Sequence, residues 1–142
     1  MIIFRKKINM RTIQLLFVVL LLSLQYSCIS NKNFFSRKYL GNYHGTQEEY
    51  QVHIDGKDIY FPSEEYDLTL YYGKLRMNSS RQSLNGNYTV SSRTKKVITL
   101  NVRLENGITE EWQIITGSKK IVRNTIAPQT NVVFTLVSRA KF

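Results

Sequence analysis

Val97-Ile98-Thr99-Leu100-Asn101-Val102-Arg103-Leu104-Glu105-Asn106-Gly107-Ile108-Thr109-Glu110-Glu111-Trp112-Gln113-Ile114-Ile115 is the stretch that decides the fold class. In its first half, Ile98, Leu100, Val102 and Leu104 alternate with Thr99, Asn101 and Arg103. A period of two puts the apolar set on one face of an extended strand. Asn106-Gly107 follows, and both residue types tolerate the positive φ that a tight hairpin turn demands. The return run, Ile108 to Ile115, places Ile108, Trp112 and Ile114 on one face and Glu111 and Gln113 on the other. One dry face and one wet face is the pattern of an antiparallel sheet.

The same grammar continues on both sides. Tyr50-Gln51-Val52-His53-Ile54 alternates, turns at Asp55-Gly56 and returns as Ile59-Tyr60-Phe61, which Pro62 stops because proline cannot donate a ladder hydrogen bond. Leu68 to Tyr72 turns at Gly73-Lys74 into Leu75-Arg76-Met77. Gly86 to Ser91, Ile121-Val122 and Val132 to Val137 complete the set. No run from Tyr39 onward sustains a helical period. The reading is all-β: a small antiparallel meander of roughly eight to ten strands that closes into a barrel and so removes its open edges, with a two-layer sandwich as the alternative.

The first part of the chain is of another kind. Arg5, Lys6, Lys7 and Arg11 precede an apolar run from Ile13 to Leu24, and no acid occurs before Glu48. The run is about a dozen residues, short of the roughly 20 that a spanning helix needs. A positive start and a short apolar run describe a secretory signal peptide. Leu24-Gln25-Tyr26-Ser27-Cys28 follows, and here the sequence resembles a bacterial lipoprotein signal, in which a small residue precedes the Cys that is lipidated. The usual Leu three places before that Cys is replaced by Gln25, with Leu24 one step further back. The sole Cys of the chain falls where the resemblance expects it. It implies a leader over 1–27, a lipidated Cys28 with a polar tether over 28–38, and one domain over 39–142. Ile29 is not the Asp that commonly retains such proteins at the inner membrane, so the resemblance implies a lipid anchor in the cell envelope, at the outer membrane.

Tyr39-Leu40-Gly41-Asn42-Tyr43-His44-Gly45-Thr46 resembles the first strand of lipocalin-like bacterial lipoproteins, and Leu84 to Leu100 resembles a later strand-turn-strand segment. The arrangement is also similar to the N-terminal barrel of envelope-stress and copper-resistance lipoproteins. That barrel carries Cys-x-x-Cys after its first strand; Gln47-Glu48-Glu49-Tyr50 stands there instead, so copper handling does not carry over.

Loss of the leader removes four bases and no acid, so 20 basic and 10 acidic residues become 16 and 10, a net +6. A basic exported domain points to anionic surfaces. No nucleic-acid motif occurs, and no nucleic-acid partner is expected. The charges come in blocks. Glu48, Glu49, Asp55, Asp58, Glu64, Glu65 and Asp67 share their stretch with one base, Lys57, whereas Lys74, Arg76, Arg81, Arg93, Lys95, Lys96 and Arg103 follow without an acid. Either the blocks pair across the sheet, or the domain is dipolar and offers Lys74, Arg76, Arg93, Lys95 and Lys96 to an anionic surface. Tyr60, Phe61, Tyr66, Tyr71 and Tyr72 gather near the acidic block, as a ligand or partner patch or as barrel core and rim.

Phosphate loops, His-Glu-x-x-His and Gly-x-Ser-x-Gly are absent from the sequence. His44 and His53, expected on adjacent strands near Glu48 and Glu49, read as surface histidines rather than zinc ligands. No enzymatic activity, cofactor or metal is expected. Two functional classes stand side by side. One is a non-catalytic, monomeric module binding a small apolar ligand or an anionic envelope component. The other is an interaction protein, such as an inhibitor or immunity factor against a toxin or hydrolase. An internal cavity of roughly 300 Å³ or more would favour the ligand. Cells fed a palmitate analogue should label the chain, and Cys28→Ala should abolish the label; an alanine variant that still incorporates label would end the lipoprotein reading.

Overall fold

The computed structural model describes residues 36–141; the expected leader, Cys28 and the first part of the expected tether lie outside the described residues. Ten strands follow one 3-10 turn at Arg37–Tyr39. They are β1 (Gly41–Gln47), β2 (Tyr50–Ile54), β3 (Lys57–Phe61), β4 (Glu64–Leu70), β5 (Lys74–Ser79), β6 (Ser83–Arg93), β7 (Val97–Leu104), β8 (Thr109–Ile115), β9 (Lys120–Arg123) and β10 (Val132–Arg139). Eight of them form a closed antiparallel barrel in the order β1-β10-β9-β8-β7-β6-β5-β4, while β2 and β3 form a separate two-stranded sheet. The closed barrel expected from the alternation, lipocalin-like as the resemblance implied, is therefore the architecture, and the sandwich is set aside.

One connection departs from a plain meander. β1 pairs with β4, Gly41 opposite Leu70 and Gln47 opposite Glu64, so the Tyr50–Phe61 hairpin is looped out of the wall. Its alternation is genuine, but both edges of β1 are already occupied by β4 and β10.

Alternation fills the interior. Tyr43, Leu68, Leu70, Met77, Leu100, Val102, Trp112, Ile114, Ile121 and Phe134 are buried almost completely. Trp112 and Phe134 stack at the centre, ring centroids 5.9 Å apart. Tyr39 is buried too, and its carbonyl accepts the Tyr43 hydroxyl at 2.5 Å. Burial raises the Tyr43 pKa first, helped by the neighbouring Tyr39 and Tyr88 hydroxyls.

Ile108 is the misplaced residue of the sequence reading. It belongs to the β7–β8 turn, 47% exposed, and Glu110 occupies the next inward position on β8. The turn uses Asn106 to cap the Ile108 N–H at 3.1 Å and Gly107 at positive φ, so that Ile108 joins the hairpin only through its carbonyl, which accepts the Leu104 N–H at 2.8 Å.

The closing seam between β1 and β10 depends on glycine. Gly41 sits at φ 150°, and a Cβ there would come within 2.2 Å of the Ser138 carbonyl oxygen. Backbone on a paired strand cannot move aside cheaply. Gly41→Ala is expected to cost about 1–3 kcal/mol, read as a lower urea midpoint with an unchanged slope. Gly56→Ala, where nothing lies within 4 Å, tests positive φ without a clash.

Candidate functional site

Antiparallel closure gives the barrel two chemically opposite ends. At one, here the tether end, the chain arrives through Ser36–Leu40, with the β4–β5, β6–β7 and β8–β9 turns beside it. The turns are tied together: Thr116 donates its N–H to the Lys96 carbonyl at 2.9 Å and its hydroxyl to the Lys95 carbonyl at 2.7 Å. A shallow hollow of about 350 Å³ joins Ser36, Lys38, Arg93, Lys95 and Thr116. Lys95, Lys96, Lys119, Lys120, Arg139 and Lys141 belong to this end, and among the described residues no acid occurs in these turns or strand termini.

The sequence-predicted bases divide accordingly. Lys74, Arg93, Lys95 and Lys96 lie toward the tether end. Arg76 is on the outer wall of β5, its Nε donating to the Asn85 side-chain oxygen at 3.2 Å, and with Lys74 and Arg103 it lines a wall groove of about 590 Å³.

The predicted aromatic patch is not one patch. Tyr66 is core, 3% exposed, and donates to Glu64 at 2.9 Å. Burial is the main reason its pKa is raised. Tyr71 and Tyr72 are half exposed at the tether end, where Arg37 donates to the Tyr72 hydroxyl at 3.0 Å. Tyr60 and Phe61 are on the looped-out hairpin at the opposite end, with the Tyr60 hydroxyl donating to Glu49. Residues adjacent in sequence were separated because β4 traverses the barrel between them.

The hairpin end carries the acids. Glu48, Glu49, Asp55, Asp58, Glu64 and Glu105 lie in its loops and strand starts, against Lys57 and Arg81. A cleft of about 390 Å³ opens there between the hairpin (Tyr50, Val52, Phe61), Ile108 and the β9–β10 link (Ile126, Pro128). Tyr50 and Phe61 stack at 4.8 Å, and Ile126 is 79% exposed. Thr130 donates to the Glu48 carbonyl at 3.0 Å and accepts, through its own carbonyl, the Gln47 side-chain N–H at 3.1 Å, which fastens the link beside the hairpin.

Glu110 lines that cleft and is held from inside the barrel. Arg123 grips it in a fork, Nε at 2.8 Å and Nη2 at 2.7 Å, while the Trp112 indole donates to the same carboxylate at 2.7 Å. Both charged side chains are 8% exposed. Burial alone would lower the Arg123 pKa; the hydrogen bonds and charge of Glu110 outweigh it, and the value lies above the ordinary one. The guanidinium also sits over the Trp112 and Tyr66 rings, about 6 Å from each centroid. Sequence reading missed this pair. Its signal was parity: Glu110 is in step with Trp112 and Ile114, and Arg123 with Ile121.

Arg123–Glu110 joins an acid of β8 to a base of β9 across the sheet. His44 and His53 are on different sheets and each meets its own partner, Asp67 at 2.9 Å and Asp58 at 2.7 Å. Compared with protein-family models, with characterised proteins and with solved structures, the chain shows no significant match.

Arg123→Met should cost about 3–5 kcal/mol by stranding a buried Glu110 charge. Glu110→Gln combined with Arg123→Met removes both charges and keeps an acceptor for Trp112; it should cost less than the sum of the single changes. Urea unfolding of the four proteins measures that coupling.

Proposed function

We propose that the chain is an exported, lipid-anchored, non-catalytic binding module of the bacterial cell envelope that holds its basic end against an anionic surface. One observation carries this reading. The tether joins the barrel at the end where Lys95, Lys96, Lys119, Lys120, Arg139 and Lys141 gather, with no acid among the described residues of its turns and strand termini. A lipid on Cys28 would bring that end, rather than the acidic one, toward the headgroups.

The energetics suit the arrangement. Acyl chains contribute about 0.8 kcal/mol per buried methylene, so the lipid supplies the anchoring. Each Lys or Arg near an anionic surface adds roughly 1 kcal/mol, within a Debye length of about 10 Å. Such charges favour the orientation that turns the basic end toward the surface.

A ligand inside the barrel is the less favoured version, because the interior holds its own side chains: Tyr43, Trp112, Phe134 and the leucines of β4 and β7 leave the described hollows on the outside. The alternative of a protein-interaction module draws support from the cleft at the other end.

The leaderless chain with Cys28→Ser should bind vesicles containing phosphatidylglycerol and ignore phosphatidylcholine vesicles, with affinity falling as salt rises. Replacing Lys95 and Lys96 by Gln should weaken it by about 2 kcal/mol, roughly 30-fold. Equal binding to both vesicle types, or binding indifferent to salt, would overturn the proposal.

A further inference from the structure

The hairpin that the barrel excludes has two unlike faces. Register pairs Tyr50 with Phe61 and Val52 with Ile59, and Ile54 is in step with Val52, so these apolar side chains share one face. Gln51, His53, Asp58 and Tyr60 share the other, where His53 meets Asp58 and Tyr60 meets Glu49. The polar face is thus satisfied within the hairpin. The apolar face is covered only near its base, by Tyr50 and Phe61 stacking and by the β9–β10 link. Toward the tip, Ile54 stays 50% exposed and Ile59 42%. Across the cleft, Ile108 is 47% and Ile126 79% exposed. A two-stranded sheet alone in water is marginal, and a small protein seldom leaves four branched aliphatic side chains together at one end without use for them.

The rim says what kind of partner fits. The acids of this end are Glu48 and Asp55, with Glu49 and Asp58 on the hairpin's polar face, where they meet Tyr60 and His53, and Glu105, which accepts from Asn85; Lys57 shares the apolar face, opposite Ile54. Glu110 lies in the cleft itself, already matched by Arg123 from within. A second copy offering the same end would set acid against acid. A second copy offering its basic end would have to give up the surface that end is proposed to occupy.

We propose that the hairpin end is a docking site for a lysine- or arginine-rich segment of a partner protein, whose apolar side chains enter the cleft between Tyr50–Phe61 and Ile126–Pro128 while its bases meet the acidic rim. Apolar burial supplies the attraction, and the rim selects for charge and speeds the encounter. This goes beyond the surface-binding reading and uses the opposite end of the barrel, so either can fail alone.

The test uses the full chain and a fluorescently labelled peptide alternating lysine and leucine. Peptides alternating glutamate with leucine and lysine with serine serve as controls. The lysine–leucine peptide should bind, with affinity reduced by salt, and neither control should. Ile126→Ser with Ile108→Ser, both at exposed positions, should weaken binding about tenfold or more. Lys95→Gln with Lys96→Gln should leave it unchanged, even though it weakens vesicle binding. Equal binding of the acidic and basic leucine peptides, or no effect of the isoleucine variant, would overturn the proposal. So would a dimer in sedimentation velocity that the isoleucine variant dissolves, because the face would then belong to a second copy.

Discussion

β1 is hydrogen-bonded along both edges, to β10 on one side and β4 on the other. The architecture rests on that double pairing. It closes the barrel and leaves no open edge in the wall. It also decides which strands the wall admits: with β4 beside β1, the intervening β2–β3 hairpin has no edge to join. Gly41 and Gly45 make it possible, since Cβ atoms there would press on the Ser138 and Val133 carbonyl oxygens of β10.

Closure has an electrostatic consequence. In an antiparallel barrel, alternate connections fall at alternate ends, so residues in successive turns are sorted by parity of connection rather than by distance along the chain. The turns after β4, β6 and β8 are basic or neutral, and the connections after β1 and β7 hold the acids Glu48, Glu49 and Glu105, while the one after β5 holds Arg81. Part of each block gathers at one end, while Arg76 and Arg103 line the wall and Arg81 falls at the hairpin end. The tether meets the basic pole and the excluded hairpin overhangs the acidic one. The proposed orientation against an anionic surface, and the proposed docking of a basic segment, are two consequences of this one polarity.

The Glu110–Arg123 pair occupies the boundary between core and cleft. A buried ion pair is weak support for stability in itself, because desolvation offsets much of its attraction. Here three hydrogen bonds from Arg123 and Trp112 satisfy the carboxylate, and two aromatic rings flank the guanidinium. The result is a fully partnered carboxylate lining the apolar cleft beside Ile108 and the β9–β10 link.

Much of this was legible one residue at a time. Alternation through Ile98, Leu100, Val102 and Leu104, with Asn106-Gly107 after them, determined strand, face and turn, because side-chain direction in an extended chain depends only on parity and turn chemistry only on a few neighbouring residues. The same local logic marked Tyr50–Phe61 as a hairpin. What local pattern does not contain is partner choice. Whether β1 accepts β2 or β4, whether Tyr60 and Tyr71 share a surface, and whether Glu110 finds a cation are settled by contacts between residues far apart in the chain. The tertiary structure decided these because an edge can be paired only once, and a buried charge persists only where the fold brings its counter-charge within hydrogen-bonding distance.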